Sequence, residues 1–266
     1  GEQEFMGLSF KVSSDVLIPN QDTETLVEEA LRYVQEGMRV LDLCTGSGCI
    51  ALSLLNYSNG TSAVGTDISI NALQIATKNS LNLKLSDRYK AVCADLYSPI
   101  SENNVNKGSL GENNVNKSSL DENNVNKSTS DESSSYESSA DKNSDKKPSS
   151  AARIYYKETM DDLGKFDIIV SNPPYIPTGV IDSLEPEVKV HEPFIALDGK
   201  EDGLFFYRKI IDNADKYLLS NGWLIMEIGY DQGEAVSGLM TQKGFKNVEV
   251  VKDLGGNDRV VLGCYY

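Results

Sequence analysis

The stretch Val40-Leu41-Asp42-Leu43-Cys44-Thr45-Gly46-Ser47-Gly48-Cys49-Ile50-Ala51 carries the chain from an apolar strand, through a turn of small residues, into a helix. Glycines let backbone come close to a ligand, and a helix N-terminus presents N–H groups with no intrahelical partner. Outward from this unit the pattern repeats. Upstream, 12–18 reads as a short extended segment, and Asp22 can cap a helix over 23–35 with Leu26, Val27, Ala30, Leu31 and Val34 on one face. Downstream, strands over 63–66 and 89–93 flank a helix over 71–81. An apolar strand, Phe166–Ser171, leads through an irregular loop to a helix over 204–219. A strand over 223–228, a helix over 232–243 and two closing strands over 248–251 and 259–265 complete the series. Strand–helix alternation with apolar strands predicts an α/β fold around a mostly parallel sheet, with the last two strands as an antiparallel edge. Ligands in such sheets sit at the carboxyl ends of the strands.

The residues that follow the strands carry chemistry. A dinucleotide loop needs Gly-x-Gly-x-x-Gly around a diphosphate. Here the spacing is Asp-x-Cys-x-Gly-x-Gly, and Asp42 would repel a diphosphate. It suits a cationic or zwitterionic ligand, such as the amino-acid end of S-adenosylmethionine. Asp67 ends the next strand, 19 residues after Gly48. A carboxylate there accepts hydrogen bonds from ribose hydroxyls, or caps the following helix. After the third strand, Asp95 can accept from an exocyclic adenine amine while Leu96 packs on the ring; it also reads as an ordinary loop acid.

Ser171-Asn172-Pro173-Pro174-Tyr175 follows the most apolar strand. Two prolines fix φ and remove N–H donors, and the Asn side chain offers an acceptor and a donor. Together they form a rigid pocket for a planar –NH₂ group, with the Tyr175 ring alongside. Such a nitrogen is a poor nucleophile because its lone pair is delocalised. Acceptors on its hydrogens favour pyramidalisation and aim the lone pair at an activated methyl carbon.

Residues 101–150 differ from the rest. They hold 14 Ser and 10 Asn, and Glu-Asn-Asn-Val-Asn-Lys recurs from Glu102, Glu112 and Glu122. So polar a stretch is expected to be a disordered low-complexity insert, leaving 1–100 and 151–266 as one domain. Lys+Arg 25 against Asp+Glu 40 gives a net charge of −15, of which the insert contributes −3. That balance disfavours direct nucleic-acid binding. Cys44, Cys49, Cys93 and Cys264 form no Cys-x-x-Cys pair, and His191 is the sole histidine. Neither a metal site nor a His-dependent nucleophile is expected, and the cysteine usage suggests a reducing, cytoplasmic setting. No apolar run reaches membrane-spanning length, so no membrane partner is expected.

The chain resembles the HemK/PrmC family of protein-(glutamine-N5) methyltransferases. The resemblance is carried by 4–10, Leu17-Ile18-Pro19, Asp22-Thr23-Glu24, the 42–48 loop, Asn172–Tyr175, Glu192-Pro193, 196–199, 201–204 and Glu227-Ile228-Gly229. It implies a Rossmann-like class I S-adenosylmethionine-dependent methyltransferase with a seven-stranded sheet. S-adenosyl-L-methionine would be held by Cys44, Thr45, Gly46, Ser47, Gly48, Asp67, Asp95, Leu96 and Asn172, leaving S-adenosyl-L-homocysteine, with no metal. The acceptor would be the Gly-Gly-Gln glutamine of class I peptide chain release factors, held by Asn172, Pro173, Pro174 and Tyr175, with Phe5 lining the same pocket. Three departures stand out. Cys44 replaces a family glycine, a change that a negative φ would tolerate. Asn20-Gln21 replaces the family's Arg-Pro. No counterpart of the family's N-terminal helical substrate-docking domain is expected within these 266 residues. Adenine-N6 methyltransferases of DNA or RNA share Asn-Pro-Pro-Tyr and form the alternative reading; a non-catalytic S-adenosylmethionine-binding module is a third.

Overall fold

The computed structural model describes residues 1–99, 154–155, 160–185 and 192–266. The expected insert, 101–150, and His191 lie outside the described residues. The elements in chain order are β1 (Glu2–Phe5), β2 (Leu8–Lys11), α1 (Gln21–Leu31), β3 (Arg39–Leu43), α2 (Cys49–Tyr57), β4 (Ser62–Asp67), α3 (Ile70–Asn82), β5 (Tyr89–Asp95), β6 (Ser98–Pro99) and β7 (Ile154–Tyr155). They continue with α4 (Met160–Leu163), β8 (Phe166–Ser171), α5 (Thr178–Ile181), α6 (Phe194–Leu197), α7 (Phe205–Tyr217), β9 (Leu218–Glu227), α8 (Gly233–Lys243), β10 (Lys246–Lys252) and β11 (Asp258–Tyr265).

The main sheet runs β10-β11-β9-β8-β3-β4-β5-β6, with β7 also paired to β5. Strands β9, β8, β3, β4 and β5 are mutually parallel. Strand β11 lies antiparallel between β9 and β10 and forms the expected antiparallel edge. Among the described residues the sheet has nine strands rather than seven, because β6 and β7 each add a two-residue pairing to β5. Pairings that short leave no periodic signal. One face of the sheet packs on α1, α2 and α3, the other on α7 and α8, each through a buried apolar cluster.

Two expectations need correction. The 12–18 segment is not one extended run but holds a turn at Ser14-Asp15, and ahead of it lies a β-hairpin for which no expectation was set: Phe5 pairs Leu8 across Met6-Gly7, and both turn residues have positive φ, at 51° and 68°. The hairpin is clamped at both ends. The Met6 N–H donates to Glu24 Oε1 at 2.6 Å and the Tyr57 hydroxyl to the Met6 carbonyl at 2.6 Å. Asn79, fully buried, accepts from the Lys11 N–H and donates to the Lys11 and Ser47 carbonyls, joining hairpin, α3 and the 44–48 loop. Helix α1 starts earlier than expected, and its cap is Asn20 rather than Asp22: Asn20 Oδ1 accepts from Thr23 N at 3.0 Å.

Candidate active site

Strands β4 and β5 lie on one side of β3, and β8 and β9 on the other. The order therefore switches between β3 and β8, where a ligand crevice forms in such sheets. Leu43 and Ser171 end these strands in register, and Ser171 Oγ donates to the Leu43 carbonyl at 2.8 Å. The two sequence motifs thus leave the sheet side by side. Between them opens a cavity of about 380 Å³.

The first loop is braced from beneath. Asp42 is fully buried, and its Oδ2 accepts from Thr45 Oγ1 at 2.6 Å and from Ala51 N at 3.3 Å. Burial pushes its carboxyl up to about 7. Asp42 therefore shapes the loop and does not line the cavity, contrary to a ligand-facing acid. The Tyr89 hydroxyl stands 3.3 Å from Thr45 Oγ1. The room is supplied by Gly65, where a Cβ would fall 2.1 Å from the Tyr89 hydroxyl.

Asp67 accepts from Gly46 N at 2.9 Å and from Ser69 N at 2.8 Å while lining the cavity. Helix α3 is capped by Ser69, whose hydroxyl accepts from Ala72 N, so Asp67 is not the helix cap. Each Asp67 oxygen keeps a lone pair for a further donor. Cys44, Thr45, Gly46 and Ser47 line the same cavity, as do Asp95 and Leu96, with Ile68 and Ala94 adding apolar wall. Gly48 does not. At φ 79°, a Cβ on it would meet Ala76 Cβ and Leu52 Cδ1 at 3.1 Å, so it serves the packing of α2 on α3.

Cys44 has φ 58°, not the negative value that would make a side chain easy to place there. Left-handed backbone costs a Cβ-bearing residue about 1–2 kcal/mol. Glycine avoids that cost but loses more chain entropy on folding. Cys44→Gly is therefore expected to be more stable than Cys44→Ala by about 1 kcal/mol in urea unfolding, since both lack the thiol and only alanine keeps the strain. An alanine variant as stable as the glycine variant would contradict this.

In the second loop Asn172 and Pro174 line the cavity; Pro173 and Tyr175 do not. The Tyr175 hydroxyl points to Glu227 Oε1 at 3.4 Å, and burial raises its pKa. Its carbonyl accepts from Gln232 Nε2 at 3.0 Å. Across from it, Ile176 N donates to the Leu197 carbonyl and Gly199 N to the Ile176 carbonyl. Phe5 does not reach the cavity: it is 1% exposed and packs edge-on against Phe10. The cavity also takes in Thr23, from the Asp22-Thr23-Glu24 motif to which no site role was given, and residues that motif reading missed, among them Ile195, Phe205, Phe206 and Lys209. Ile18 N donates to Glu192 Oε2 at 3.0 Å, so the Leu17-Ile18-Pro19 and Glu192-Pro193 segments meet at its rim.

Glu227 is 1% exposed, and its Oε2 has no hydrogen-bond partner. Burial pushes its carboxyl up to about 7 against the pull of Thr23 and Arg259, while Asp22 adds to the rise. A carboxyl raised in the folded state holds a proton that the unfolded chain has already released. Its contribution to stability is fullest below the unfolded value, 4.5, and falls as pH rises toward about 7. Glu227→Gln lacks this loss. Relative to the native chain it should gain melting temperature between about pH 5 and about pH 8; a pH-independent difference would contradict the burial argument.

The family model of the Eco57I restriction-modification methylase matches residues 61–226, a span that contains Asn172–Tyr175 but not the 44–48 loop. Curated relatives match almost the whole chain. The release factor glutamine methyltransferase of Agrobacterium fabrum is 34% identical over 98% of this chain and 71% of its own length. That of Geobacter sulfurreducens is 35% identical over 99% and 70%. A solved methyltransferase from Pyrococcus furiosus shares the fold, with a TM-score of 0.56 at 12% identity over 97% of this chain and 89% of that one.

Proposed function

The chain belongs to the release factor glutamine methyltransferase family, and from that premise we propose that it methylates the side-chain amide nitrogen of the Gly-Gly-Gln glutamine in class I peptide chain release factors. The observation that carries this reading is the meeting of Asn172 and Pro174 with the 44–47 loop and Asp67 around one cavity at the sheet's switch point.

The lining suits S-adenosylmethionine as cofactor. Asp67, already fixed by two backbone N–H groups, has lone pairs left for a ribose diol. Leu96, Ala94 and Ile68 offer an apolar wall for an adenine ring, with Asp95 for its amine. Cys44 to Ser47 cradle the amino-acid end. S-adenosylmethionine, when bound, supplies a methyl group already activated on a sulfonium, so the protein needs no strong base. The chain's own task is to hold the acceptor. Asn172 Oδ1 and a main-chain carbonyl of the turn that Asn172 and Pro174 present to the cavity accept the two amide hydrogens, which favours pyramidal nitrogen and stabilises the positive charge growing on it. One of those hydrogens then leaves to solvent. Pro173 and Tyr175 act by holding the turn, Tyr175 through Glu227 and Gln232. The four cysteines are free, as suits a reducing, cytoplasmic enzyme. Among the described residues no helix is long and apolar enough to cross a membrane.

The Eco57I match favours a second reading, transfer to adenine N6 of DNA or RNA, which presents the same kind of planar amine. The net charge of −15 weighs against it. Incubating the chain with radiolabelled S-adenosylmethionine and either a class I release factor or duplex DNA separates the two. Label is expected in the release factor. Label in the DNA alone would overturn the reading, as would binding of cofactor without transfer to either.

A further inference from the structure

Thr23 stands in the first turn of α1, 149 residues from Asn172, yet the two side chains touch. Asn20 Oδ1 accepts from both the Thr23 N–H, at 3.0 Å, and the Thr23 hydroxyl, at 3.2 Å. A hydroxyl has one hydrogen to give. With that hydrogen committed to Asn20, the Thr23 oxygen faces Asn172 with lone pairs alone. Asn172 Nδ2 donates to it at 3.3 Å. The opposite rotamer would set carbonyl against lone pair, so the two ends of the Asn172 amide are told apart by this neighbour. Glu227 also lies beside the Thr23 hydroxyl. Its carboxyl offers an acceptor oxygen whether protonated or not, so a hydrogen swung from Asn20 to Glu227 leaves the side facing Asn172 unchanged. Both Thr23 and Asn172 line the cavity.

We infer that Thr23 is a positioning residue for methyl transfer, fixing the Asn172 amide so that its carbonyl, and not its NH₂, meets the hydrogens of the acceptor nitrogen. The inference rests on the acceptor-holding role assigned to Asn172 above. In the reversed orientation donor would face donor, and the nitrogen lone pair would lose its aim. Asn20 belongs to the same device: it caps the helix and takes up the hydrogen that would otherwise let Thr23 donate.

The test compares full-length Thr23→Val, Thr23→Ala, Thr23→Ser and Asn172→Ala with the native chain. It reads kcat and KM for a release-factor acceptor, S-adenosylhomocysteine affinity by calorimetry, and thermal unfolding. Thr23→Val is expected to lower kcat by about tenfold or more with cofactor affinity near native. Thr23→Ala, which removes the same oxygen with no methyl in its place, should slow the reaction equally and guards against a folding defect in the valine variant. Thr23→Ser should return kcat to within about threefold of native. Native-like turnover in Thr23→Val or Thr23→Ala, or a serine variant as slow as valine, overturns the inference. If Asn172→Ala is inactive while Thr23→Val is normal, only this inference falls. If Asn172→Ala is itself normal, the underlying assignment falls.

Discussion

Asn172→Ala is expected to lower kcat by about 10²-fold or more while S-adenosylhomocysteine affinity stays within about twofold of native. The size follows from where the side chain acts. A glutamine amide nitrogen gives up its resonance as it attacks, and positive charge grows on it during displacement. In the proposed role, Asn172 Oδ1 opposes that cost only as the charge develops, so its loss should appear in kcat rather than in ground-state binding. The cofactor side is spared because its wall is built on other elements: the 44–47 loop, held by Asp42 and Asp67, and the ends of β4 and β5. A kcat reduced less than about fivefold would take Asn172 out of the transition state. A cofactor affinity that fell in step would make it a binding residue instead.

Gly203→Ala should cost about 3 kcal/mol or more of stability and abolish transfer. Two penalties combine at this position. Its φ is 73°, where a side chain is strained, and a Cβ would lie 2.4 Å from the Tyr175 carbonyl oxygen and 2.7 Å from Gln232 Nε2. Those two atoms form the hydrogen bond that ties down the end of the Asn-Pro-Pro-Tyr turn. No rotamer relieves a clash with backbone. Gly199, whose Cβ would lie 2.7 Å from Tyr175 Cα, makes the same close approach from the other side. Gly238, inside α8, is the control: nothing lies within 4 Å of its Cβ position, so Gly238→Ala should stabilise by about 0.5–1 kcal/mol. Urea unfolding of both variants measures the contrast. A Gly203→Ala variant within about 0.5 kcal/mol of native would contradict the packing argument.

The parallel sheet was legible because its strands are apolar runs separated by helical periodicity; Phe166–Ser171 matches the expected strand end for end. The hairpin at 2–11 was not. Its two-residue turn places Met6 at positive φ, where Asn or Asp is the usual signal. Strand β9 begins at Leu218 rather than Trp223, but its pairing with β8 shifts register over 219–222, where Asn221 has φ 65°, and becomes regular at Trp223, the expected start. At the site, motifs identified residues that leave strand ends. They misread what those residues face. Asp42 and Tyr175 turn inward, to Thr45 and to Glu227, and Phe5 is core. Thr23 and Gln232 reach the second loop over 149 and 57 residues of sequence, and no local period reports such contacts.

The central claim is that this cavity delivers a methyl group to an amide nitrogen of glutamine. Tandem mass spectrometry of a class I release factor, incubated with the chain and S-adenosylmethionine and then digested, tests it most directly. The predicted result is one methyl group on the Gly-Gly-Gln glutamine side chain, absent when Asn172→Ala replaces the native chain. A methyl group on any other residue, or an unmodified glutamine beside methylated adenine in added DNA, would contradict the account.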